Sequence, residues 1–149
     1  MYPDVKTLRD VSLEQLEVAR PVLTEREYRR ALHVVGECTR VMEAVRMLEA
    51  DDVAGFGRLW FESHESSRVN FENSTEELDY LVELAKSIPG GLGARLSGGG
   101  FGGITIHLVK SNDAEEYARR VCTGYKARTG IEAESIICAI GDGASSTKL

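Results

Sequence analysis

The chain has 149 residues, 42% of them hydrophobic, which is enough for one domain with a buried core, and its net charge of -6 argues against nucleic acid as a partner. No apolar run approaches the roughly 18 residues of a membrane span, so we expect no membrane partner. The three cysteines, Cys38, Cys122 and Cys138, show neither zinc nor redox spacing, and we expect a cytoplasmic protein with reduced thiols.

Helical patterns open the chain. A short helix is predicted from Leu8 to Arg20, with Ser12 as its N-cap and Pro21 at its end. From Thr24 a long helix is predicted, because apolar residues recur at spacings of three and four. These spacings predict one continuous buried stripe, formed by Tyr28, Ala31, Leu32, Val35, Cys38, Met42, Val45 and Leu48.

Two more helices are expected before the pattern changes. Asp51 or Asp52 can cap the second helix, whose first turns present Val53, Phe56, Leu59 and Trp60. Ser74 and Glu77 have the spacing of a capping box and are predicted to open the third. Its inward positions are expected to be Leu78, Leu81, Val82, Ala85 and Ile88, and its end the run Pro89-Gly90-Gly91.

Strand periodicity follows this helical region. Ala94–Ser97 and Ile104–Val109 are predicted strands, and Ser111-Asn112-Asp113 is predicted to cap a helix that ends at Gly130. Its buried face is expected to contain Ala114, Tyr117, Ala118, Val121, Cys122 and Tyr125. Glu134–Ile140 is predicted as a third strand, before a polar tail. The order predicts an α+β fold, with N-terminal helices packed on a small antiparallel sheet and a ferredoxin-like β-β-α-β C-terminal part.

The loop between the first two strands is the leading candidate site. Five glycines occur in the seven residues of Ser97-Gly98-Gly99-Gly100-Phe101-Gly102-Gly103. Glycine permits positive φ and close backbone approach, and successive glycine amides can form a nest for an anion such as phosphate. A following strand excludes a dinucleotide-binding fingerprint, which needs a helix there, and no Gly-Lys-Ser/Thr sequence indicates a P-loop. A flexible linker is the alternative, but it would be richer in serine and would not place Phe101 among the glycines.

Other polar residues give weaker signals. The buried series of the second helix turns polar at Ser63, His64 and Ser67, which suggests that Ser63 and His64 line a cleft; a hydrogen-bonded core histidine is the equally weighted alternative. His33 and Glu37 lie four residues apart, but no third ligand follows, so we predict no metal site.

The remaining charged or titratable residues suggest no catalytic role. His107 is expected to face solvent, Asp79 and Asp142 have no evident partners, and the basic cluster is read as a solvated helix face, formed by Arg26, Arg29 and Arg30. No nucleophile–base pair emerges, and we predict no catalytic residue within this chain.

The sequence from Gly93 to Gly103 closely resembles the third conserved motif of galactokinases, which are grouped with homoserine, mevalonate and phosphomevalonate kinases. Leu96 and Ser97 stand where Met and Thr are usual, and Ile104 replaces a frequent Cys. The resemblance covers residues 7–143 and includes three further segments, namely Arg29–Glu37, Phe56–Ser67 and Ser74–Asp79. It implies an N-terminal extension with a short helix at 1–23, a kinase C-terminal domain at 24–143 and a polar tail at 144–149. Within that domain, helices occupy about 24–88 and the β-β-α-β part about 93–140.

The resemblance further implies ATP-dependent phosphorylation of the anomeric hydroxyl of galactose, with Mg²⁺ required in the intact enzyme. In this family the catalytic aspartate, the nucleotide loop and most sugar contacts belong to an N-terminal domain that no segment here resembles. The chain is therefore expected to contribute the loop from Ser97 to Gly103 to a shared site, to bind no cofactor tightly and to be inactive alone. Exposed apolar surface around Trp60 and Phe101 is expected to favour self-association.

Two alternatives remain open at this point. The chain could be a non-catalytic regulatory or ligand-binding module derived from a kinase. It could instead be a subunit that completes a site with a separately encoded N-terminal half. A cloned fragment or a truncated gene would give the same sequence.

Overall fold

A computed structural model describes residues 4–141, 143 and 145–147. In these residues, five α-helices accompany a two-stranded antiparallel sheet, which confirms the α+β class. The helices are α1 (Leu13–Ala19), α2 (Glu25–Glu49), α3 (Val53–Ser66), α4 (Glu76–Ser87) and α5 (Ala114–Thr129), and the strands are β1 (Gly91–Ser97) and β2 (Ile104–Val109). None of these helices combines the length and apolar character that a membrane span requires. The division at residue 24 stays a prediction.

Side-chain caps explain where most of the helices begin. The Ser12 hydroxyl accepts a hydrogen bond from Gln15 N–H, and the Thr24 hydroxyl accepts one from Glu27 N–H. Asp52 caps α3 by accepting from Gly55 N–H at 2.7 Å. Each of these caps satisfies an amide that would otherwise lack a partner in the first turn.

The predicted capping box at Ser74 and Glu77 is wrong by one residue. Thr75 is the N-cap of α4 and accepts from Leu78 N–H, while the Ser74 hydroxyl donates to the Asp79 carboxylate at 2.6 Å. The spacing pattern could not distinguish two adjacent hydroxyl residues, because both precede the same acidic turn.

Helix α2 is buried along its first half only, so the continuous stripe was over-predicted. Tyr28, Ala31 and Val35 form a cluster with Leu16 of α1. The later positions of the stripe, Met42, Val45 and Leu48, are exposed. A period of 3.6 residues identifies an apolar face, but it does not show how far a neighbouring element extends along it.

The main core lies between α4, α5 and one face of the sheet. Ala94 and Leu96 of β1 are buried on that face, opposite His107 and Thr105 of β2 in the antiparallel register. Val82 and Ala85 of α4 and Tyr117 and Val121 of α5 complete the cluster with Ile88. This packing fixes the two strands and therefore the ends of the loop that joins them.

The third strand predicted at Glu134–Ile140 does not form in the described residues. The segment has no ladder partner, and Ile140 is 94% exposed. Helix α3 lies against β1, where Leu96 N–H donates to His64 instead of to a strand. Isoleucine-rich sequence indicates strand propensity, but a strand also needs an edge with which to pair. Of the predicted tail, residues 144, 148 and 149 lie outside the described residues.

Candidate functional site

The glycine loop joins β1 to β2, as predicted. Gly98, Gly100, Gly102 and Gly103 have φ values of +80°, +81°, +120° and +95°. These positive angles are readily adopted by glycine and strain other residues. Phe101 also has a positive φ, +59°, and is therefore the loop residue that carries backbone strain.

The loop is open on most of its surface. A Cβ atom built at Gly98, Gly99, Gly102 or Gly103 would meet no atom within 4 Å. Phe101 is 77% exposed and projects from the packed body of the domain. No neighbour in the described part of the chain therefore explains why these four positions lack side chains.

Asn73 attaches the loop to the helical part of the domain. Its carbonyl oxygen accepts a hydrogen bond from Phe101 N–H at 2.7 Å, and its side-chain Nδ2 donates to the Gly99 carbonyl at 3.1 Å. A Cβ atom at Gly100 would lie 2.1 Å from the Asn73 carbonyl oxygen, so glycine is required there by contact. Sequence reasoning missed Asn73, and the ability of asparagine to bond nearby backbone is a weak signal on its own.

His64 is buried beneath the strand that leads into the loop, with 4% of its surface exposed. Leu96 N–H donates to His64 Nδ1 at 3.2 Å, so the neutral ring carries its proton on Nε2 and donates to Asp79 Oδ1 at 3.0 Å. Burial lowers the pKa of His64, and the opposing charge of Asp79 does not overcome it. Asp79 was predicted to have no partner, and this was wrong, because helix spacing could not show that α3 and α4 approach each other.

Ser63 and Glu37 form a second polar contact next to His64. The buried Ser63 hydroxyl donates to the Glu37 carboxylate at 2.8 Å, and Arg40 Nε donates to the same carboxylate at 2.6 Å. Burial raises the pKa of Glu37, but these hydrogen bonds outweigh it and hold the pKa below its ordinary value. These contacts place Ser63 and His64 inside the packing of α2, α3 and β1. Their predicted role as cleft-lining residues stays a prediction.

Two arginines that were predicted to be solvated hold the segment before Asn73. Arg29 and Arg30 form ion pairs with Glu72 at 2.6 and 2.5 Å. Arg29 also donates to the Val69 carbonyl at 3.1 Å, and Arg30 donates to the Asn70 carbonyl. The prediction was wrong because a π-helical turn at Ser67–Phe71 brings these acceptors back over α2, which the pattern of one helix cannot show.

His107 was predicted to face solvent, but it packs on α5. Its Nδ1 lies 2.6 Å from the Tyr117 hydroxyl, and its Nε2 lies 2.8 Å from the Thr105 hydroxyl. Burial lowers the pKa of His107 to about 4 and raises that of Tyr117. The apolar residues of β2, Ile104 and Ile106, face the opposite and exposed side. The alternation in β2 was therefore correct, but its two faces were assigned the wrong way round.

The described groups suit positioning rather than proton transfer. Both ring nitrogens of His64 are engaged, which leaves neither free to take a proton from a substrate. No group of three His, Cys, Asp or Glu side chains in the described ranges is placed to hold a metal ion. The loop itself contains one side-chain hydroxyl, that of Ser97. These residues do not fit a Mg²⁺ site, and the loop offers mainly backbone amides to a ligand.

Comparison with known proteins connects this arrangement to one group of kinases. Residues 41–127 match the family model described as GHMP kinases C terminal. The chain is 41% identical over 142 residues to galactokinase of Roseiflexus sp. (strain RS-1), which covers 95% of this chain and 36% of that protein. It is 45% identical over 120 residues to the galactokinase of Homo sapiens, covering 80% and 31%.

A solved structure supports the same relationship. The crystal structure of Lactococcus lactis galactokinase complexed with galactose superposes with a TM-score of 0.82 and 32% sequence identity, covering 87% of this chain and 34% of that one. The chain thus spans about a third of the length of these relatives. Because the family model covers more than half of the chain, and the strand–loop–strand unit with its glycine motif lies within the matched residues, the chain belongs to the GHMP kinase C-terminal family.

Proposed function

We propose that this chain forms the C-terminal part of an ATP-dependent galactokinase. In that enzyme, the loop from Ser97 to Gly103 would line the site where the γ-phosphoryl group passes from ATP to the anomeric hydroxyl of galactose. The observation that carries the proposal is the open loop itself, because four of its glycines have no neighbour that excludes a side chain. The galactokinase relatives, which match up to 97% of the chain, support this choice of reaction.

The loop can contribute positioning and electrostatic stabilisation. Backbone amides in a glycine loop are fixed dipoles that can face phosphate oxygens without a large reorganisation during the reaction. The residues that would hold Mg²⁺ lie outside this chain in the proposal, and the ion would there supply positive charge near the transferred phosphoryl group. His64 and Asp79 act one step away from the ligand, because they hold Leu96 directly before the loop. The base that takes the proton of the sugar hydroxyl lies outside this chain in the proposal.

Exposed apolar surface supports an association with further polypeptide. Met42, Val45 and Leu48 form an exposed face on α2, and Ile104 and Phe101 are exposed on β2 and the loop. We propose that the remaining part of a galactokinase covers this surface. On its own, the chain is expected to self-associate, with a weight-average mass that rises with concentration in sedimentation equilibrium.

A chimeric enzyme tests the proposed function. The segment of Roseiflexus galactokinase that matches this chain would be replaced by this chain, and ADP formation from ATP would be measured with and without galactose. We expect sugar-dependent ADP formation by the chimera, and none by the 149-residue chain alone, because the chain supplies neither a base nor a nucleotide cradle.

Two outcomes would overturn parts of this proposal. A chimera that is folded by circular dichroism but forms no sugar phosphate would contradict the assigned role of the chain. Galactose-dependent ADP formation by the chain alone would contradict the shared site. The parent Roseiflexus enzyme, assayed in parallel, sets the rate against which both results are judged.

A further inference from the structure

The glycine loop has little support of its own. Five of its residues, Gly98 and Gly100 to Gly103, have positive φ. Four of its five glycines have no atom within 4 Å of the place that a Cβ would occupy, so packing does not select one conformation of the loop. Glycine-rich backbone also loses the most freedom on ordering. A defined loop therefore requires an attachment from outside the hairpin.

Asn73 provides that attachment on two sides of the loop. Its backbone oxygen binds Phe101 N–H, and its side-chain amide binds the Gly99 carbonyl, so the two bonds bracket Gly100. Asn73 is 6% exposed, and its Oδ1 atom is buried without a partner among the described residues. The side-chain amide of Asn73 is therefore oriented by the hydrogen bond that it donates to the Gly99 carbonyl. No hydrogen bond to its Oδ1 atom in the described residues favours the reversed orientation.

Asn73 is itself held by α2 through the preceding residue. Glu72 has a left-handed φ of +58°. Its carboxylate forms ion pairs with both Arg29 and Arg30. Asn73 N–H also donates to the Ser67 carbonyl at 3.2 Å. The ion pairs hold Glu72 in a conformation that a free chain would rarely adopt, and this fixes the direction in which Asn73 enters the domain.

We propose that Asn73 is the positioning residue of the glycine loop, and that Arg29, Arg30 and Glu72 set its orientation. The loop attachment follows from the contacts of this chain. Its effect on phosphoryl transfer rests on the proposed function. Asn73 touches no reacting atom in this proposal; it fixes where the loop amides point.

Amide hydrogen exchange of the 149-residue chain, followed by NMR, tests the attachment without any activity. We expect Phe101 N–H to exchange more slowly than Gly102 N–H, which donates to no backbone carbonyl outside the strand ladder in the described residues. Asn73→Asp keeps the size of the side chain but places a carboxylate oxygen against the Gly99 carbonyl. It should accelerate exchange at Phe101 by about 10-fold, which corresponds to one lost hydrogen bond.

Glu72→Ala serves as the second variant, because Glu72 is partly exposed and its removal should leave the core folded. It should accelerate exchange at Phe101 by about threefold, as expected for a partly exposed ion-pair network. Glu65→Ala is the matched control, since Glu65 also pairs with an arginine on the surface, Arg68, but does not precede Asn73. An unchanged exchange rate of Phe101 N–H in a folded Asn73→Asp chain would overturn the attachment. If Glu65→Ala accelerates this exchange as much as Glu72→Ala does, the proposed role of Glu72 is wrong.

The chimera separates this inference from the proposed function. In an active chimera, Asn73→Asp should lower kcat by about 10-fold or more while KM for galactose stays within about twofold, because a displaced loop weakens transition-state contacts. Full kcat in this variant would overturn the catalytic consequence. An inactive parent chimera would count against the proposed function alone, because the exchange measurements judge the attachment independently.

Discussion

Two groups of glycines in this chain have opposite surroundings at the position that a side chain would occupy. Gly57 of α3 and Gly93 of β1 lie in direct contact, and a Cβ atom on either would lie 2.2 to 2.3 Å from backbone oxygen. The glycines at positions 98, 99, 102 and 103 face open space. The first pair is explained by packing within the domain. The second group is explained by backbone angle at three positions, and at Gly99 by neither angle nor contact.

This difference is the reason for placing the proposed function at the loop. A requirement that can be traced to a neighbour within the domain concerns folding, and its loss should appear as reduced stability. Neither contact nor backbone angle in the described chain requires glycine at position 99, so this glycine is better explained by a body outside the chain. In the proposed function that body is the phosphate group of a nucleotide together with the rest of the kinase. The two glycine groups should therefore respond differently to the same alanine substitution.

Gly93→Ala should have the largest effect on stability. The added methyl group would meet the backbone of Gly57, and neither α3 nor β1 can move without disturbing the core. We expect a loss of about 3 kcal/mol in the free energy of unfolding, measured by urea denaturation. Gly141→Ala is the matched control, because its Cβ would meet nothing within 4 Å. A loss below about 1 kcal/mol for Gly93→Ala would contradict the close contact.

Lowering the pH should destabilise the folded chain, because it favours protonation of His107, which packs against Tyr117 of α5. The pKa of His107 is about 4 in the folded chain, against an ordinary value of 6.5. The unfolded chain therefore binds the proton first, and stability from this group is complete above about pH 6.5 and falls as the pH decreases towards 4. Between pH 7 and pH 4.5 we expect a loss on the order of 2 kcal/mol.

His107→Gln removes this titration and should flatten the dependence of the urea midpoint on pH. Some slope should remain, because burial also lowers the pKa of His64. An unchanged slope in His107→Gln would show that His107 is not the group that takes up the proton.

Gly100→Ala should have a smaller effect on the free energy of unfolding. Gly100 belongs to the loop but, like Gly93, is in close contact with backbone atoms. Its Cβ would meet the Asn73 carbonyl oxygen, and its φ is +81°. We expect a loss of about 1 to 2 kcal/mol in the free energy of unfolding, together with faster exchange at Phe101 N–H. Gly99→Ala, in open space and without a positive φ, should change the free energy of unfolding by less than about 0.5 kcal/mol. Equal losses in both variants would contradict the distinction between the two positions.

Local patterns in the sequence were sufficient for most of the secondary structure. The Ser12 cap, the start of a long helix at Thr24 and the strand period of Ile104–Val109 were predicted correctly, because they depend on neighbours close in sequence, although the two faces of that strand were reversed. The glycine run was also correctly placed between two strands. The third strand was predicted wrongly, because strand formation depends on an available edge.

The parts of the candidate site that depend on tertiary contacts were not predictable. His64 and Asp79 are 15 residues apart, and Asn73 is 26 residues from Gly99, so no periodic pattern connects them. The ion pairs of Arg29 and Arg30 depend on the π-helical turn that returns Glu72 to α2. In each case the residue type was visible in the sequence, but its partner was set by how separate elements pack.

The activity of Gly99→Ala in the galactokinase chimera tests the central claim most directly, because the substitution should leave the folded chain intact. We predict that kcat for galactose phosphorylation falls by about 100-fold, since a methyl group would enter the space that a phosphate group approaches in the proposed function. The Gly141→Ala chimera should retain the parent rate. If the Gly99→Ala chimera instead keeps kcat within about twofold of the parent, the open face of the loop does not meet the reacting groups, and the account is wrong.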